Sequence, residues 1–395
     1  MRTSSRPWAA LALALTGYVS ACSSTSTGAV ADAGPDATQD SPSPAKLAMP
    51  QGDPLSWAVD AVGPFNVGHR SFEFTYAPPL LPGAPPRTIP IDLWYPTLDT
   101  EGGRTVYRGV FGDPDVLEGA SAAPPMAPGG YPVHVYSHGS SGFGGTSSDM
   151  AHWFVSHGWV YVAPNHVGNL LGDPEGKKAL SLSYLRAADV TAALDAVEKL
   201  AAPDPLAGKL RTRRVLLSGH SFGAYTTWAT GGVTFDTKAL KSACDLGEFL
   251  PPCTPEEIAI FGKNFGDPRV AALVPMAGRV LDWIADYDAP RKPTLLMSGS
   301  LDVPGGPIFE RARELDLTWL DFEGGCHQLF ALGGCKTLDE TLGWKLTNTW
   351  ALAWGRRYVL GDASDRTTRI VTGALPLSPL ITLKHKGVLT PPSGP

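Results

Sequence analysis

The chain has 395 residues, of which 43% are hydrophobic and 18% charged, so it can bury a large core and is not disordered throughout. It carries 32 basic and 38 acidic residues, a net charge of -6, and no run of Lys or Arg that could neutralise successive phosphates. These values argue against a nucleic-acid partner and favour one large globular domain.

The first 21 residues, 1–21, have the parts of a bacterial signal peptide. Arg2 and Arg6 give a positively charged start, Ala9 to Leu15 form an apolar segment, and small residues precede Cys22. The apolar stretch is too short to cross the ~30 Å of hydrocarbon in a bilayer. The sequence VSAC resembles a lipobox, whose cysteine is lipidated. We therefore predict an exported lipoprotein, anchored in a bacterial membrane on its periplasmic side or at the cell surface. Ordinary cleavage and secretion is the alternative.

Three further regions follow the signal peptide. Residues 22–54 are rich in Ser, Thr, Ala, Asp and Pro and almost lack large apolar side chains, which predicts a flexible tether. Residues 55–375 have the composition of a compact domain. Residues 376–395 are predicted to be a C-terminal tail.

Strand-like segments alternate with helical ones along this domain. Two β-rich segments, 72–76 and 89–95, follow each other without a helix between them and predict an antiparallel opening. Short apolar segments typical of strands buried on both faces come next: 133–136, 160–163, 215–217, 270–274, 294–297 and 317–322. Helical candidates lie among and after them: 147–156, 183–201, the segment after Ser221, and 338–359. This order predicts an α/β fold with a mostly parallel central sheet, antiparallel N-terminal strands and helices on both faces.

The segment 232–269 is too long for an unstructured loop in a compact domain. We predict a small helical, cap-like insert after the nucleophile helix, near the carboxyl edge of the sheet. It would form part of a substrate pocket together with Phe222 and Phe143. A surface excursion far from the site is the alternative.

The sequence GHSFG follows an apolar strand and precedes a plausible helix. Strand, sharp turn and helix are the context that a nucleophile elbow requires. Gly219 and Gly223 remove side chains that would collide where the strand and the helix converge. Ser221, at the turn, is therefore predicted to be a catalytic nucleophile.

A serine hydroxyl is a weak nucleophile, so it needs a histidine base and an acid that orients the histidine. His327 follows a predicted strand, whereas His385 lies in the predicted tail. His327 is therefore the predicted base. Asp302 follows another predicted strand and is the predicted acid, with Asp282 as its substitute.

Backbone N–H groups must also stabilise the charge that develops on the carbonyl oxygen. We predict the amide of Phe222 as one donor. The second is the amide of Ser140, or else of Ser141, in the Gly-rich loop 137–145 after a predicted strand. A plain Gly-rich loop is the alternative. His220, beside the nucleophile, is predicted to line the substrate pocket.

Four cysteines remain in the domain, as two pairs that are each nine positions apart: Cys244 with Cys253, and Cys326 with Cys335. In an exported protein this spacing predicts two local disulfides. A link from Cys326 or Cys335 to the other pair is the alternative. The spacing differs from that of a structural zinc site, so we expect no metal.

Several motifs occur in the order that one enzyme superfamily shows: WYP after the antiparallel opening, SHGSSGFGG, FVSHGWVYVAP followed by NHVGN, RAADVTAALDAVEKL, GHSFGAY and PTLLMSGSLD. Together they resemble the branch of α/β-hydrolases that contains dienelactone-hydrolase-like proteins and platelet-activating-factor acetylhydrolases. They are also similar to cutinase-like polyesterases. The likeness covers about residues 60–362.

The resemblance implies an α/β-hydrolase fold and hydrolysis of carboxylic esters without metal or cofactor, through an acyl-enzyme and the triad Ser221, Asp302 and His327. Dienelactone hydrolases proper use a cysteine nucleophile, and the acetylhydrolases place their acid after an earlier strand, where Ala277 and Gly278 stand here. The substrate therefore stays open among small-molecule, lipid and polymer esters. Hydrolysis of another acyl bond (a lipid acetyl ester, lactone, thioester or amide) is one alternative, and a non-catalytic binding protein is another. We expect a monomer.

Overall fold

The computed structural model describes residues 46–79, 83–174, 176 and 178–391. The predicted signal peptide, Cys22 and most of the predicted tether lie outside these residues. The end of the predicted tether packs on the domain, because Lys46 forms a 3.0 Å ion pair with Asp99 and the Leu47 amide donates to the Leu98 carbonyl at 2.6 Å. The packed chain therefore includes Lys46 and begins before the predicted boundary at residue 55.

The described residues form thirteen strands and eight α-helices. The strands are β1 Asn66–Tyr76, β2 Arg87–Thr97, β3 Arg104–Tyr107, β4 Phe111–Glu118, β5 Tyr131–Ser137, β6 Val160–Pro164, β7 Leu210–His220, β8 Thr234–Phe235, β9 Val270–Met276, β10 Ile284–Asp286, β11 Thr294–Gly299, β12 Leu317–Phe322 and β13 Ile381–Lys386. The helices are α1 Ser148–Ser156, α2 Ser181–Glu198, α3 Phe222–Gly231, α4 Thr237–Asp245, α5 Pro255–Ile260, α6 Gly306–Arg311, α7 Glu340–Val359 and α8 Asp365–Thr372.

Eleven strands form one sheet in the order β13-β12-β11-β9-β7-β5-β6-β2-β1-β4-β3. From β12 to β6 every neighbouring pair is parallel, and these six strands are the six short apolar segments of the sequence. β1 and β2 pair antiparallel with each other, and β2 pairs antiparallel with β6. The prediction of an α/β fold with a mostly parallel sheet and an antiparallel N-terminal opening is confirmed.

Each central strand contributes to two cores, because successive side chains point to opposite faces of a sheet. Val133 and Val135 of β5 pack in the core that includes α2 and α3, whereas Tyr136 packs in the core that includes α1 and α7. Burial on both faces explains why these strands are continuous apolar runs rather than alternating ones. None of the helices in the described part of the chain combines the length and the hydropathy that a membrane span requires.

The insert 232–269 contains α4, α5 and the short strand β8, which pairs with β10. Its helices have strong start signals: the Asp236 side chain accepts from two amides at the start of α4, and Thr254 with Glu257 forms a capping box on α5. The disulfide Cys244–Cys253 joins α4 to the segment that precedes α5. The insert is helical, as predicted.

The C-terminal boundary differs from the prediction. Residues 376–395 were expected to be a tail, but β13 pairs antiparallel with β12 along six residues and closes one edge of the sheet. His385 lies in this strand, and its Nδ1 is 3.0 Å from Thr318 Oγ1. Only two of the six residues of the strand sequence ITLKHK, Ile381 and Leu383, are apolar. Lysines and flanking prolines are common at an edge strand, but they weaken its signal in the sequence.

Candidate active site

Ser221 occupies the turn between β7 and α3. Its backbone has φ +56° and ψ -115°, a conformation that is energetically unfavourable for every residue except glycine. The Ser221 amide donates to the Met276 carbonyl at 2.9 Å, which ties the turn to the end of β9. A strained serine between strand and helix is the geometry of a nucleophile elbow.

The two glycines of the GHSFG sequence are required by close backbone approach. A Cβ at Gly223 would overlap the carbonyl oxygen of Ser137, and a Cβ at Gly219 would overlap the carbonyl oxygen of Gly223. The helix α3 therefore packs directly against the end of β5. This contact brings the loop after β5 close to Ser221.

His327 and Asp302 follow the neighbouring strands β12 and β11 at the same edge of the sheet. His327 Nδ1 lies 2.8 Å from Asp302 Oδ2, so the imidazole N–H donates to the carboxylate. Asp282 instead pairs with Arg311 at 2.7 Å, and its side chain is 86% exposed. The structure thus places Asp302, and not Asp282, against His327.

Two cavities meet at Ser221 and His327. The larger, of about 320 Å³, is lined mostly by aromatic and apolar side chains of α3, the insert and the segment after β9, including Phe222, Tyr225, Trp228, Phe249, Leu281 and Trp283. The smaller, of about 250 Å³, is lined by the loop after β5 and the segment after His327, including Ser140, Ser141, Phe143, His220 and Leu332. A bound molecule could therefore extend from Ser221 in two directions.

The insert lies at the site rather than far from it, since Glu248 and Phe249 line the larger cavity together with Phe222. Phe143 is not in that cavity. It lines the smaller one and stacks on Phe111, with ring centroids 5.2 Å apart. The predicted grouping of Phe143 with the insert is therefore wrong, because the loop after β5 turns to the opposite side of Ser221.

His220 lines the smaller cavity, but its ring also supports His327. Its Nε2 donates to the His327 carbonyl at 2.8 Å, and the two rings lie 4.7 Å apart. Burial, and next to it the nearby His327, lowers the pKa of His220 to about 4. His220 is therefore a neutral donor at pH 7 that fixes the backbone of His327. The position of His220 beside Ser221 in the sequence indicates a pocket residue. Nothing in the neighbouring sequence indicates its hydrogen bond with the His327 carbonyl.

The predicted oxyanion donors flank Ser221. Phe222 is the first residue of α3, where backbone N–H groups have no partner within the helix. Ser140 follows Gly139, and a Cβ on Gly139 would lie 3.3 Å from the Ser221 Cβ. Ser141 has φ +54° and lies in the same turn, which the Gly142 amide closes on the Gly139 carbonyl at 3.2 Å.

A second Ser-His-Asp arrangement lies behind this loop. Ser137 Oγ is 2.8 Å from His166 Nε2, and His166 Nδ1 is 2.9 Å from Asp189 Oδ2. All three side chains are fully buried, so no substrate can reach Ser137. No local pattern in the sequence indicates this network, because its members come from β5, the segment after β6, and α2.

Potential metal ligands cluster at one place among the described residues: Asp113, Asp115 and His152 have ligand atoms within 4.8 Å of one another. None of these residues lines either cavity at Ser221. Asp113 already accepts from Tyr107 and pairs with His152, both at 3.1 Å. The residues around Ser221 form no comparable set, so we derive no metal-dependent step for this site.

Both predicted local disulfides are confirmed, Cys244–Cys253 and Cys326–Cys335. Cys326 directly precedes His327, so the second bridge constrains the loop that carries His327. We expect the double variant Cys326→Ser/Cys335→Ser to lose roughly 2.5 to 3 kcal/mol of unfolding free energy, from the closure of a loop of about ten residues. The variant should also raise deuterium uptake in the peptide that contains His327, measured beside its melting temperature.

The matched control is Cys244→Ser/Cys253→Ser, which opens a loop of the same length in the insert. Because Phe249 lies inside that loop, the control should raise deuterium uptake in the insert and leave the peptide that contains His327 unchanged. Equal uptake by the His327 peptide in wild type and the Cys326/Cys335 variant would show that the bridge does not position His327.

Buried histidines predict sensitivity to mild acid. Burial lowers the pKa of each of five histidines below 6.5: His134, His138, His157, His166 and His220. The unfolded chain therefore binds more protons than the folded one below pH 6.5, and stability falls as the pH drops from about 6.5 toward 5. Each histidine can contribute a slope of up to about 1.4 kcal/mol per pH unit.

Urea unfolding between pH 7.5 and pH 5 measures this slope. Burial lowers the pKa of His157 to about 4, and its Nδ1 lies 2.8 Å from the Trp153 carbonyl. Because His157 lines neither cavity at Ser221, His157→Gln should flatten the curve without changing the site. His69 affects stability at higher pH. Burial lowers its pKa, but Asp92 and Glu118 outweigh burial and raise the pKa to about 9. Its contribution to stability is therefore complete below pH 6.5 and is lost as the pH rises toward 9. A stability that does not change between pH 7.5 and 5 would contradict the account.

No protein-family model matches this chain, and no curated protein matches it significantly. Functional inference therefore depends on the geometry of the chain itself. Its principal features are the strained Ser221, the hydrogen bond between His327 and Asp302, and the two cavities that meet at Ser221.

Proposed function

We propose that the protein is a serine hydrolase that cleaves carboxylic esters through an acyl-enzyme, on an α/β-hydrolase fold. One observation carries the proposal: the strained Ser221 shares both cavities with His327, whose Nδ1 is 2.8 Å from Asp302. The chain order Ser, Asp, His and the strand, turn and helix around Ser221 support the fold assignment. The side-chain chemistry matches that of a Ser-His-Asp triad.

In the first half of the reaction, the Ser221 hydroxyl attacks the ester carbonyl carbon while His327 Nε2 takes its proton. The Phe222 and Ser140 amides stabilise the oxyanion of the tetrahedral intermediate. The bond from carbon to the alcohol oxygen then breaks, and His327 returns the proton to the leaving alcohol.

In the second half, His327 removes a proton from water, which attacks the acyl-enzyme and releases the carboxylic acid and Ser221. Asp302 keeps its negative charge throughout, accepts from His327 Nδ1 and stabilises the imidazolium. His220 holds the His327 backbone from the other side.

The shape of the site favours catalysis over simple binding. A binding protein would not need a serine in a strained conformation between a histidine–aspartate pair and a backbone-lined loop. The apolar larger cavity supports an ester with an apolar acyl or alcohol group. Thioesters, lactones, amides and acetylated lipids use the same chemistry, so a substrate panel must separate them.

The proposed location is outside the cytoplasm, with the predicted lipid anchor at Cys22. The two disulfides support this, because such bonds persist in oxidising compartments. Small-molecule, lipid or polymer esters encountered there are the proposed substrates.

The direct test is turnover of p-nitrophenyl esters of increasing acyl length by the mature protein, beside matched thioesters, lactones and anilides. We expect ester hydrolysis and a pre-steady-state burst of nitrophenol where deacylation is slower than acylation. Absence of turnover on all four bond types would refute the proposal. Faster turnover of a non-ester bond would keep the mechanism and change the substrate class.

The insert should influence acyl-length preference. Phe249→Ala removes an aromatic wall of the larger cavity, so the ratio of kcat/KM for a hexanoyl ester to that for an acetyl ester should change by about 10-fold. Leu250→Ala is the matched control, because the neighbouring Leu250 is 61% exposed and does not line the cavity. Equal ratios in wild type and Phe249→Ala would separate the insert from substrate selection.

A further inference from the structure

The loop after β5 has little in its own sequence to fix its shape. Residues 138–142 read His-Gly-Ser-Ser-Gly, and glycines at two of five positions allow many backbone conformations. The Ser140 amide can stabilise an oxyanion only if it is held within a few tenths of an ångström. Contacts from outside the loop must therefore set its position.

Arg186 of α2 makes such contacts. Its guanidinium is fully buried and donates to the His138 carbonyl and, at 3.1 Å, to Ser137 Oγ. On its other side Nε donates to Thr226 Oγ1 of α3 at 3.0 Å, and the guanidinium carbon lies 4.5 Å from the centre of the Phe222 ring. One side chain thus joins the loop to the first turns of α3.

Asn169 extends this connection to Ser140. Its Oδ1 accepts from Arg186 Nη1 at 2.8 Å, and its Nδ2 donates to Ser140 Oγ at 2.9 Å. The Asn169 side chain is fully buried, whereas Ser140 is exposed. The next residues reinforce the contact, since the Leu171 amide donates to the Gly142 carbonyl at 3.1 Å.

The buried Ser137–His166–Asp189 network supports the start of the loop. Ser137 accepts from Arg186, so its hydroxyl proton points to His166 Nε2, and His166 donates to Asp189. The His166 amide donates to His138 Nε2 at 3.0 Å, which leaves the His138 Nδ1 proton for the Gly139 carbonyl at 2.7 Å. Each donor in this network has one acceptor, so the arrangement is unambiguous.

We propose that Arg186 and Asn169 are positioning residues that hold the Ser140 amide at a fixed place relative to the Phe222 amide. The inference rests on the proposed function, in which these two amides form the oxyanion hole. Arg186 sets the loop against α3, and Asn169 fixes Ser140 through its hydroxyl. Neither Arg186 nor Asn169 lines a cavity at Ser221.

The test compares two replacements of Asn169 that have nearly the same size. Asn169→Leu removes both hydrogen bonds, and kcat should fall by about 10- to 100-fold, whereas KM stays within about 2-fold, because the oxyanion forms after substrate binds. Asn169→Asp still accepts from Arg186 and can accept from the Ser140 hydroxyl, so kcat should return to within about 3-fold of wild type. If Asn169 had a purely structural role, Asn169→Leu would lower stability without lowering kcat at an unchanged KM.

Ser140→Ala gives the same test at an exposed position, where folding is not at risk. It keeps the backbone amide but removes the hydroxyl that Asn169 holds, so kcat should fall as in Asn169→Leu. The double variant Ser140→Ala/Asn169→Leu should be no slower than Asn169→Leu alone, because Asn169→Leu already removes the contact that Ser140→Ala breaks. Additive losses, or wild-type kcat in Ser140→Ala, would overturn the proposal.

Hydrogen exchange tests the loop without any substrate. Deuterium uptake by the peptide that contains residues 138–142 should rise in Asn169→Leu and Arg186→Lys. The control is Arg356→Lys. Arg356 is another buried arginine, which lies in α7 and donates to the Trp57 carbonyl at 2.7 Å. Arg356→Lys should lower stability and leave this peptide protected. Unchanged uptake in Asn169→Leu would overturn the proposal even if esters are hydrolysed, and absence of turnover in the wild type would refute only the proposed function.

Discussion

Ser221→Ala is expected to lower kcat/KM for ester hydrolysis by about 10⁴-fold or more, with the fold intact. Loss of the nucleophile leaves only substrate binding and the oxyanion donors, which supply the residual rate. Alanine keeps the Cβ and therefore the backbone strain of Ser221, so the melting temperature should stay close to that of the wild type. His327→Ala should cause a similar loss, because without the base the serine hydroxyl stays protonated. Steady-state kinetics with a p-nitrophenyl ester and a thermal melt of each variant give both quantities.

His385→Ala is the matched control for His327→Ala. His385 is the only other histidine after Ser221, and it lies in β13, where it binds Thr318. Its replacement should leave kcat within about 2-fold of wild type. Undiminished turnover in Ser221→Ala would contradict the whole mechanism.

Asp302→Ala is expected to lower kcat by about 10⁴-fold, the effect of losing the group that sets the tautomer and orientation of the base. The 2.8 Å contact with His327 Nδ1 is the reason for the choice. Asp282→Ala, which removes only a partner of Arg311 at the surface, should keep kcat near the wild-type value.

The opposite pattern, with Asp282→Ala inactive and Asp302→Ala active, would show that the acid is assigned wrongly, although the reaction could still be ester hydrolysis. Asp302→Asn should be nearly as slow as Asp302→Ala, because an amide can hold the ring but does not stabilise the imidazolium. Kinetics of the three variants on one ester decide the matter.

Local patterns made most of the fold and the central site predictable. The six parallel strands are continuous apolar runs, and the glycines around Ser221 mark the turn before any packing is known. The pairing of Cys326 with Cys335 follows from short spacing, and Asp302 and His327 each follow a strong strand signal. In each case a few neighbouring residues carry the information.

Tertiary contacts determine what the sequence did not reveal. Arg186 lies in an ordinary helical pattern, and its role depends on partners from β5, α3 and the segment at Asn169. The strand β13 depends on the free edge of β12 rather than on its own composition. Phe143 was grouped with the insert, because sequence alone does not say to which side of Ser221 a Gly-rich loop turns.

Covalent labelling by a fluorophosphonate tests the central claim most directly. The reagent reacts with an activated, accessible serine, and peptide mass spectrometry locates the adduct. We expect a single adduct on Ser221, which is lost in Ser221→Ala and forms much more slowly in His327→Ala. We expect none on Ser137, because its side chain, which has similar hydrogen bonds, is fully buried. An adduct on Ser137 or another serine, or no adduct on the folded protein, would contradict the central claim.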